Sequence, residues 1–146
     1  MRLFEILRDK PFHLIALPPT ASAMDAAALM KAEHVGAVLV LDDAGRLLGV
    51  LSERDLVLGV AADGPAIFRR RVAELMSVGG PTARPNDSVL HVMRTMTDRR
   101  ARHVPVLDGD TVVGVVSIGD LLKARLAEKV QENAILQELA QVRVAA

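Results

Sequence analysis

Apolar and polar residues alternate in a regular order along this chain. Short apolar runs at residues 37–41 and 47–51 flank a polar turn at 42–45, which predicts a β-hairpin. The same order returns near the C-terminal end, where residues 108–110 separate two more apolar runs, 103–107 and 111–116. We therefore expect two hairpins of similar construction.

Segments with helical spacing surround both hairpins. Thr20 or Ser22 can cap a helix that runs to about Glu33, and Asp87 or Ser88 can cap one that runs to about Asp98. The pattern further predicts short helices at 3–7 and 68–76, a helix over 52–62, extended segments at 12–17 and 82–85, and a linker at 61–65. A last helix opens at residues 117–120 and continues far toward the C-terminus, since residues 121–146 contain no Gly or Pro.

These elements form two copies of one unit. Residues separated by 66 positions match before the turn, and residues separated by 65 match after it, so a single residue is dropped at the turn. We predict a first unit at 1–65, a second at 66–128 and a helical extension at 129–146. The expected fold is α/β (α+β), with two short mixed sheets packed face to face in pseudo-twofold symmetry, because neither unit buries enough apolar surface alone.

Composition narrows the functional classes. The 146 residues carry 18 basic and 18 acidic side chains, no Trp, no Tyr and three Phe, which argues against nucleic acid as a partner. There is no cysteine, no apolar run long enough for a bilayer and no secretory signal pattern at the start, so no membrane is expected and we predict a cytoplasmic protein. Lone His34 is interpreted as solvated, with a phosphate contact as the alternative.

Each unit ends its hairpin with the pattern S-x-x-D. The pattern is typical of a capping box, in which serine and aspartate satisfy the first backbone N–H groups of a helix. It is also a set of hydrogen-bonding groups that could meet a ligand, and both interpretations stay open. The sequence has no P-loop, no G-x-G-x-x-G and no G-x-S-x-G elbow, so we do not expect an enzyme.

The two motifs carry a family resemblance. They read GVLSERD at 49–55 and GVVSIGD at 114–120, and HVPV at 103–106 precedes the second hairpin turn. Over roughly residues 3–126 the chain resembles a tandem pair of CBS domains, a Bateman module, and especially small bacterial proteins made of one such pair. The resemblance implies a regulatory sensor of an adenosine ligand: AMP, ADP or ATP, with or without Mg²⁺, or alternatively NAD(H) or S-adenosylmethionine.

The resemblance also implies two unequal sites. In the stronger one, Asp120 accepts hydrogen bonds from ribose hydroxyls and Arg100 is the first phosphate ligand. The full set is Asp120, Ser117, Arg100, Arg102, His103, Pro105, Thr82, Ile118 and Gly119. The weaker or empty site comprises Asp55, Ser52, Arg54, Thr20 and Ala37.

Two functions follow from this resemblance. The first is a sensor that forms a homodimer and signals to an unknown effector protein by a ligand-dependent conformational change. The alternative is a structural dimerisation module with vestigial nucleotide clefts, in which the C-terminal helix and apolar helix faces carry the interaction.

Overall fold

The chain folds into an α/β structure of two similar units and a long C-terminal helix. The computed structural model describes residues 1–9 and 14–145. Its elements, in chain order, are α1 (Leu3–Asp9), β1 (Ala16–Leu17), α2 (Ala23–Glu33), β2 (Ala37–Leu41), β3 (Leu47–Ser52), α3 (Glu53–Asp63), a 3₁₀ helix (Gly64–Arg69), α4 (Val72–Leu75), α5 (Val89–Arg99), β4 (His103–Asp108), β5 (Thr111–Ser117) and α6 (Ile118–Ala145).

Each unit is built around one antiparallel hairpin. In the first unit β2 pairs with β3, and the short β1 adds in parallel to β2. In the second unit β4 pairs with β5, and Ala83 adds one parallel bridge to Val106. The predicted hairpins are confirmed, whereas the extended segment 82–85 contributes only this bridge. Of the predicted segment 12–17, residues 12 and 13 lie outside the described residues.

The region between the units differs from the prediction. The expected linker at 61–65 is wrong, since α3 continues to Asp63 and a 3₁₀ helix follows. The helix expected at 68–76 is confirmed only over Val72–Leu75, which form α4. Pro65 stands in the first turn of that 3₁₀ helix, where its fixed φ is favourable, and Ile67 is completely buried. Arg70 then adopts an extended conformation that separates the 3₁₀ helix from α4.

Each unit has its own hydrophobic core, and each core includes residues from a segment that precedes the other unit's hairpin. Ile67 and Val72, which precede the second hairpin, pack in the core of the first unit. Leu3, which precedes the first hairpin, is completely buried in the core of the second unit, with Ile6 and Leu7 packed against it. The packing thus crosses the sequence bounds predicted for the units, and each core is completed by a segment that precedes the other unit's hairpin.

The motif glycines make room for the exchanged segments. A Cβ on Gly49 would lie 2.6 Å from the Met76 sulfur and 2.8 Å from the Ser77 carbonyl oxygen. A Cβ on Gly114 would lie 2.7 Å from Leu7 Cδ2. The first residue of each G-x-x-S-x-x-D motif is therefore glycine because another segment crosses its strand at close range.

The first hairpin turn is fixed by Asp42. Its carboxylate accepts hydrogen bonds from the backbone N–H groups of Ala44 and Arg46 at 2.9 and 2.8 Å, and from the Arg46 side chain at 2.8 Å. The backbone N–H of Arg46 is the main cause that holds the pKa of this carboxyl below its usual range. Asp42 therefore stabilises the hairpin turn, as the sequence predicts.

Helix α6 extends beyond the second core. With 28 residues it is roughly 42 Å long. Leu121 at its start is completely buried, whereas every side chain described from Lys129 to Val142 is exposed. Among the described residues, no helix combines the length and apolarity needed to cross a bilayer.

Candidate functional site

Both S-x-x-D motifs form reciprocal capping boxes. The backbone N–H of Ser52 donates to Asp55 Oδ2 at 2.9 Å, and the N–H of Asp55 donates to Ser52 Oγ at 3.1 Å. Ser117 and Asp120 repeat the pair at 2.9 and 3.1 Å. The cap engages one oxygen of each carboxylate. A carboxylate accepts about four hydrogen bonds in total, so capping is compatible with binding a ligand hydroxyl.

The hairpin register places a second residue beside each motif serine. His103 is paired with Ser117, and Ala37 is paired with Ser52. The beginning of one strand and the end of its partner thus lie together at the edge where the capped helix starts. This geometry brings Ser117, Asp120 and His103 together in the second unit, and Ser52, Asp55 and Ala37 together in the first.

A cavity of about 490 Å³ lies between the two units. Asp120, Ser117 and His103 contribute polar groups from the second unit, and His34 contributes one from the first. Most of the remaining wall is apolar. The full lining comprises Leu7, Leu14, Ile15, His34, Val35, Gly36, Ala37, Val38, Leu39, Val50, His103, Pro105, Val113, Gly114, Val115, Ser117 and Asp120. Among the described residues, no cluster of three His, Asp or Glu side chains is arranged to hold a metal ion.

The cavity brings together part of the predicted sites. Of the stronger set, its lining includes Asp120, Ser117, His103 and Pro105; of the weaker set, it includes Ala37. The lining does not include Arg100, Arg102, Thr82, Ile118 and Gly119, or Asp55, Ser52, Arg54 and Thr20.

The remaining wall was not predicted from the sequence. Ile15 and, apart from Ala37, the residues from His34 to Leu39 belong to the first unit, although they line the same cavity as the motif of the second. Leu7 comes from α1, which packs against the second core. The only sequence signal for these residues is the repeat itself, which predicts two facing sheets. The pattern does not say which helix end faces which motif.

The arginines lie at the end of α5. Arg100 is the C-cap residue, with a left-handed backbone (φ 52°), and both Arg100 and Arg102 are exposed. The carbonyl oxygen of Arg102 accepts a hydrogen bond from the N–H of Ile118 at 2.9 Å. Arg99 Nη2 donates to the carbonyl oxygen of Gly79 at 3.4 Å. Thr82 is also exposed.

Asp55 contacts Ser77, which lies two residues before the Gly79 that accepts the hydrogen bond of Arg99. The hydroxyl of Ser77 donates to Asp55 Oδ1 at 3.4 Å. Ser77 is itself paired with Val50 of β3 by two backbone hydrogen bonds, at 2.9 and 3.0 Å. The exchanged segment therefore reaches the motif of the first unit.

Comparison with models of protein families assigns the chain to one family. The model of the CBS domain matches residues 5–61 and again residues 72–127. This chain belongs to the CBS-domain family. It carries two CBS domains in tandem, and the cavity described above lies between them.

Two curated relatives also carry CBS domains. The chain is 32% identical over 123 residues to the CBS domain-containing protein YhcV of Bacillus subtilis, covering 84% of this chain and 86% of that protein. It is 33% identical over 121 residues to the mitochondrial CBS domain-containing protein CBSX3 of Arabidopsis thaliana, covering 77% of this chain and 59% of that protein. The chain thus spans about three-fifths of the plant protein.

Solved structures share the fold. The CBS-domain containing protein ATU1752 from Agrobacterium tumefaciens superposes with a TM-score of 0.81 at 35% identity, over 86% of this chain and 99% of that one. The CBS domain protein PAE2072 from Pyrobaculum aerophilum, complexed with AMP, gives 0.73 at 27% identity, over 82% and 89%. The CBS domain pair of MJ0100, in complex with 5′-methylthioadenosine and S-adenosyl-L-methionine, gives 0.76 at 25% identity, over 88% and 98%.

Proposed function

We propose that this CBS pair is a regulatory, non-catalytic module that binds an adenosine-containing ligand between its two units and passes the bound state to a partner protein. The observation that carries the proposal is the cavity shared by both units, with Asp120, Ser117 and His103 on one wall. Its volume falls within the range of about 300–1,000 Å³ that is typical of small-molecule sites.

The chemistry of the cavity suits a nucleoside. The apolar wall offers surface for a flat base, and the Asp120 carboxylate is an acceptor for ribose hydroxyls. The AMP complex of PAE2072 and the 5′-methylthioadenosine complex of MJ0100 support an adenosine ligand for a pair of this family. AMP, ADP, ATP, NAD(H) and S-adenosylmethionine remain the candidate ligands.

The shared walls explain how binding would become a signal. His34 and Ile15 belong to one unit, and His103 and Asp120 belong to the other, so a ligand contacts both at once. Such a ligand favours the arrangement in which the two walls are correctly spaced, and it shifts the population only by its difference in affinity between arrangements. Leu7 of α1 also lines the cavity, so the N-terminal helix takes part in this change.

Calorimetric titration tests the proposal. Adenosine, AMP, ADP, ATP, NADH and S-adenosylmethionine are titrated at fixed ionic strength into the unchanged chain, Asp120→Asn and Asp25→Asn. Asp25 forms the same reciprocal cap with Ser22 at α2 but does not line the cavity, so it controls for loss of a cap alone. We expect Asp120→Asn to weaken binding at least tenfold and Asp25→Asn to leave it within twofold. No saturable binding of any of these compounds at millimolar concentration would reject the proposal.

The exposed half of α6 favours one second candidate, a structural interaction module. Val130, Ile135, Leu136, Leu139 and Val142 are each more than half exposed on this helix. If interaction is the whole function, deleting residues 129–146 abolishes self-association and adenosine compounds leave the melting temperature unchanged. Under the sensor proposal a bound ligand raises the melting temperature by mass action.

A further inference from the structure

The side of α6 that packs against the second core continues beyond that core. Leu121 is completely buried on this side, and the carboxylate of Glu128 lies 3.5 Å from the N-terminal ammonium of Met1. Leu139 follows Leu121 by eighteen residues, which is five complete turns of an α-helix, so both side chains leave the helix in the same direction. The side that holds α6 against its own unit therefore extends into the part of the helix that belongs to neither core.

Four large apolar side chains form a stripe on this side of the helix, which we call the inner stripe. They are Ile135, Leu136, Leu139 and Val142, and they lie within about 120° of the helix surface. Each of them is more than half exposed. The inner stripe lies wholly beyond residue 127, where the family match ends. It is therefore a feature of this chain in addition to its two CBS domains.

A different side of α6 carries a second group of exposed apolar residues. Leu122, Leu126 and Val130 follow one another at intervals of four residues. Leu126 is 65% exposed and Leu139 is 58% exposed, but their side chains point about 140° apart around the helix axis. The two leucines are thus a matched pair that separates one side of the helix from the other.

The composition around the inner stripe indicates a protein as its partner. Residues 130–142 contain two glutamates and no Lys, Arg or aromatic residue. A helix that lies on a membrane surface is rich in Lys or Arg and often carries Trp or Phe, and contacts with nucleic acid depend on basic side chains. The occupant that suits this stripe is another apolar protein surface.

A second copy of this chain fits the inner stripe in one direction. In a parallel pair, the Glu128 residues of both copies and the Met1 residues that contact them would compete for the same space between the helices. In an antiparallel pair centred near Leu139, the two Glu128 residues are about 33 Å apart, so neither N-terminus is in the way. The stripe is self-complementary in this direction, because Ile135 of one copy meets Val142 of the other, as a two-fold interface requires.

We propose that two copies of this chain associate through the inner stripe, with the C-terminal halves of α6 packed antiparallel and the two CBS pairs at opposite ends. The contact does not include the cavity, so it holds whether or not an adenosine ligand binds there. Four apolar side chains from each copy form an interface below about 1,200 Å², the size of transient assemblies. We therefore expect a dissociation constant in the micromolar range.

Sedimentation equilibrium of the full chain and two variants tests the proposal. Leu139→Gln alters the inner stripe, and Leu126→Gln is the control with similar exposure on the other side of the same helix. Glutamine is a good helix former, and circular dichroism verifies that both variants keep their helices. We expect Leu139→Gln to raise the dissociation constant at least tenfold and Leu126→Gln to change it less than twofold. A monomer up to millimolar concentration, or a larger loss in Leu126→Gln, would overturn the proposal.

Cross-linking determines the direction of the pair. The chain contains no cysteine, so a single introduced thiol has only one possible position. A disulfide needs Cα atoms within about 7 Å. We expect Ile135→Cys and Val142→Cys, when mixed and oxidised, to form a disulfide between the two variants, identified by mass. Each variant alone should stay uncross-linked, because its two thiols are displaced by about 10 Å along the antiparallel helices. Disulfide dimers of Ile135→Cys alone would show a parallel pair and overturn the proposal, while the proposed function would stand.

Discussion

At the scale of single residues, the motif glycines Gly49 and Gly114 are both required by close contacts with another segment, but the contacts differ in kind. Gly49 is crossed by the backbone of Ser77, whereas Gly114 is crossed by the end of a leucine side chain. A backbone carbonyl cannot move aside as readily as a leucine methyl group. The two equivalent glycines are therefore expected to differ in their tolerance of a larger residue.

Alanine substitutions measure this difference. We expect Gly49→Ala to lower the free energy of unfolding by about 1–3 kcal/mol, as overpacking of a core does, and Gly114→Ala to lower it less. Gly59 is the control, because a Cβ there meets Ile67 at an ordinary 3.6 Å inside helix α3. Gly59→Ala should raise the free energy of unfolding by about 0.5–1 kcal/mol. Urea denaturation measures the free energy of unfolding of all three variants. Equal losses of stability in Gly49→Ala and Gly114→Ala would contradict the claim that a rigid backbone limits Gly49 and a movable side chain limits Gly114.

The turn at Asp42 gives a pH dependence at the same scale. The folded chain holds the pKa of this carboxyl below its usual range, mainly through the N–H of Arg46, so the charged form is favoured by folding. Its contribution to stability is present above the unfolded pKa and is lost as the pH falls toward the folded value.

Asp42→Asn isolates this contribution. The variant should show a smaller loss of stability than the unchanged chain as the pH is lowered through the carboxylate range. Urea denaturation at several pH values measures the difference. Identical pH profiles for the two chains would show that Asp42 does not contribute.

At the scale of elements, α1 belongs to the second core rather than to the unit it precedes. Leu3 is completely buried against residues of the second unit, while the neighbouring Phe4 is about half exposed. The N-terminal helix is therefore part of the second unit's structure, and its Leu7 also lines the cavity.

Truncation of Leu3 tests this placement. Leu3→Ala should lower the free energy of unfolding by about 2–5 kcal/mol through lost burial and the remaining void. Phe4→Ala is the control and should lower it much less. Native-state hydrogen exchange should show faster exchange in α5 and β4 than in α2 and β2 for Leu3→Ala. Faster exchange confined to the first unit would contradict the exchanged packing.

Some elements were predictable from the sequence and others were not. The hairpins and capped helices were predictable because apolar alternation, turn residues and Ser22, Ser52 or Ser88 caps are local signals. The 3₁₀ helix was missed because burial of Ile67, a tertiary effect, overrides the local pattern. Apart from Ala37, the cavity wall from His34 to Leu39 was missed because a repeat pattern carries no information on which helix end faces which motif.

At the scale of the whole molecule, the protein is a CBS pair with one addition. The family match ends at residue 127, whereas α6 continues to Ala145. The side chains described from Val130 to Val142 are exposed and belong to neither core, so this part of α6 is available for contacts outside the chain.

Deletion of residues 129–146 tests the independence of this segment. The free energy of unfolding at low protein concentration should change by less than about 0.5 kcal/mol, as for surface changes, and adenosine-ligand affinity should be retained. Sedimentation velocity on the same samples reports any change in self-association. A large loss of stability in a chain that is monomeric before the deletion would contradict the separation of α6 from the cores.

The central claim is that one ligand contacts both units across the cavity, and backbone amide NMR tests it most directly. AMP is titrated into uniformly ¹⁵N-labelled protein at fixed ionic strength. We predict that the amides of His34–Leu39 and those of Val113–Asp120 shift together, with one common dissociation constant, because the two segments line one cavity. Shifts in one segment alone, or no saturable shift at millimolar AMP, would contradict the claim.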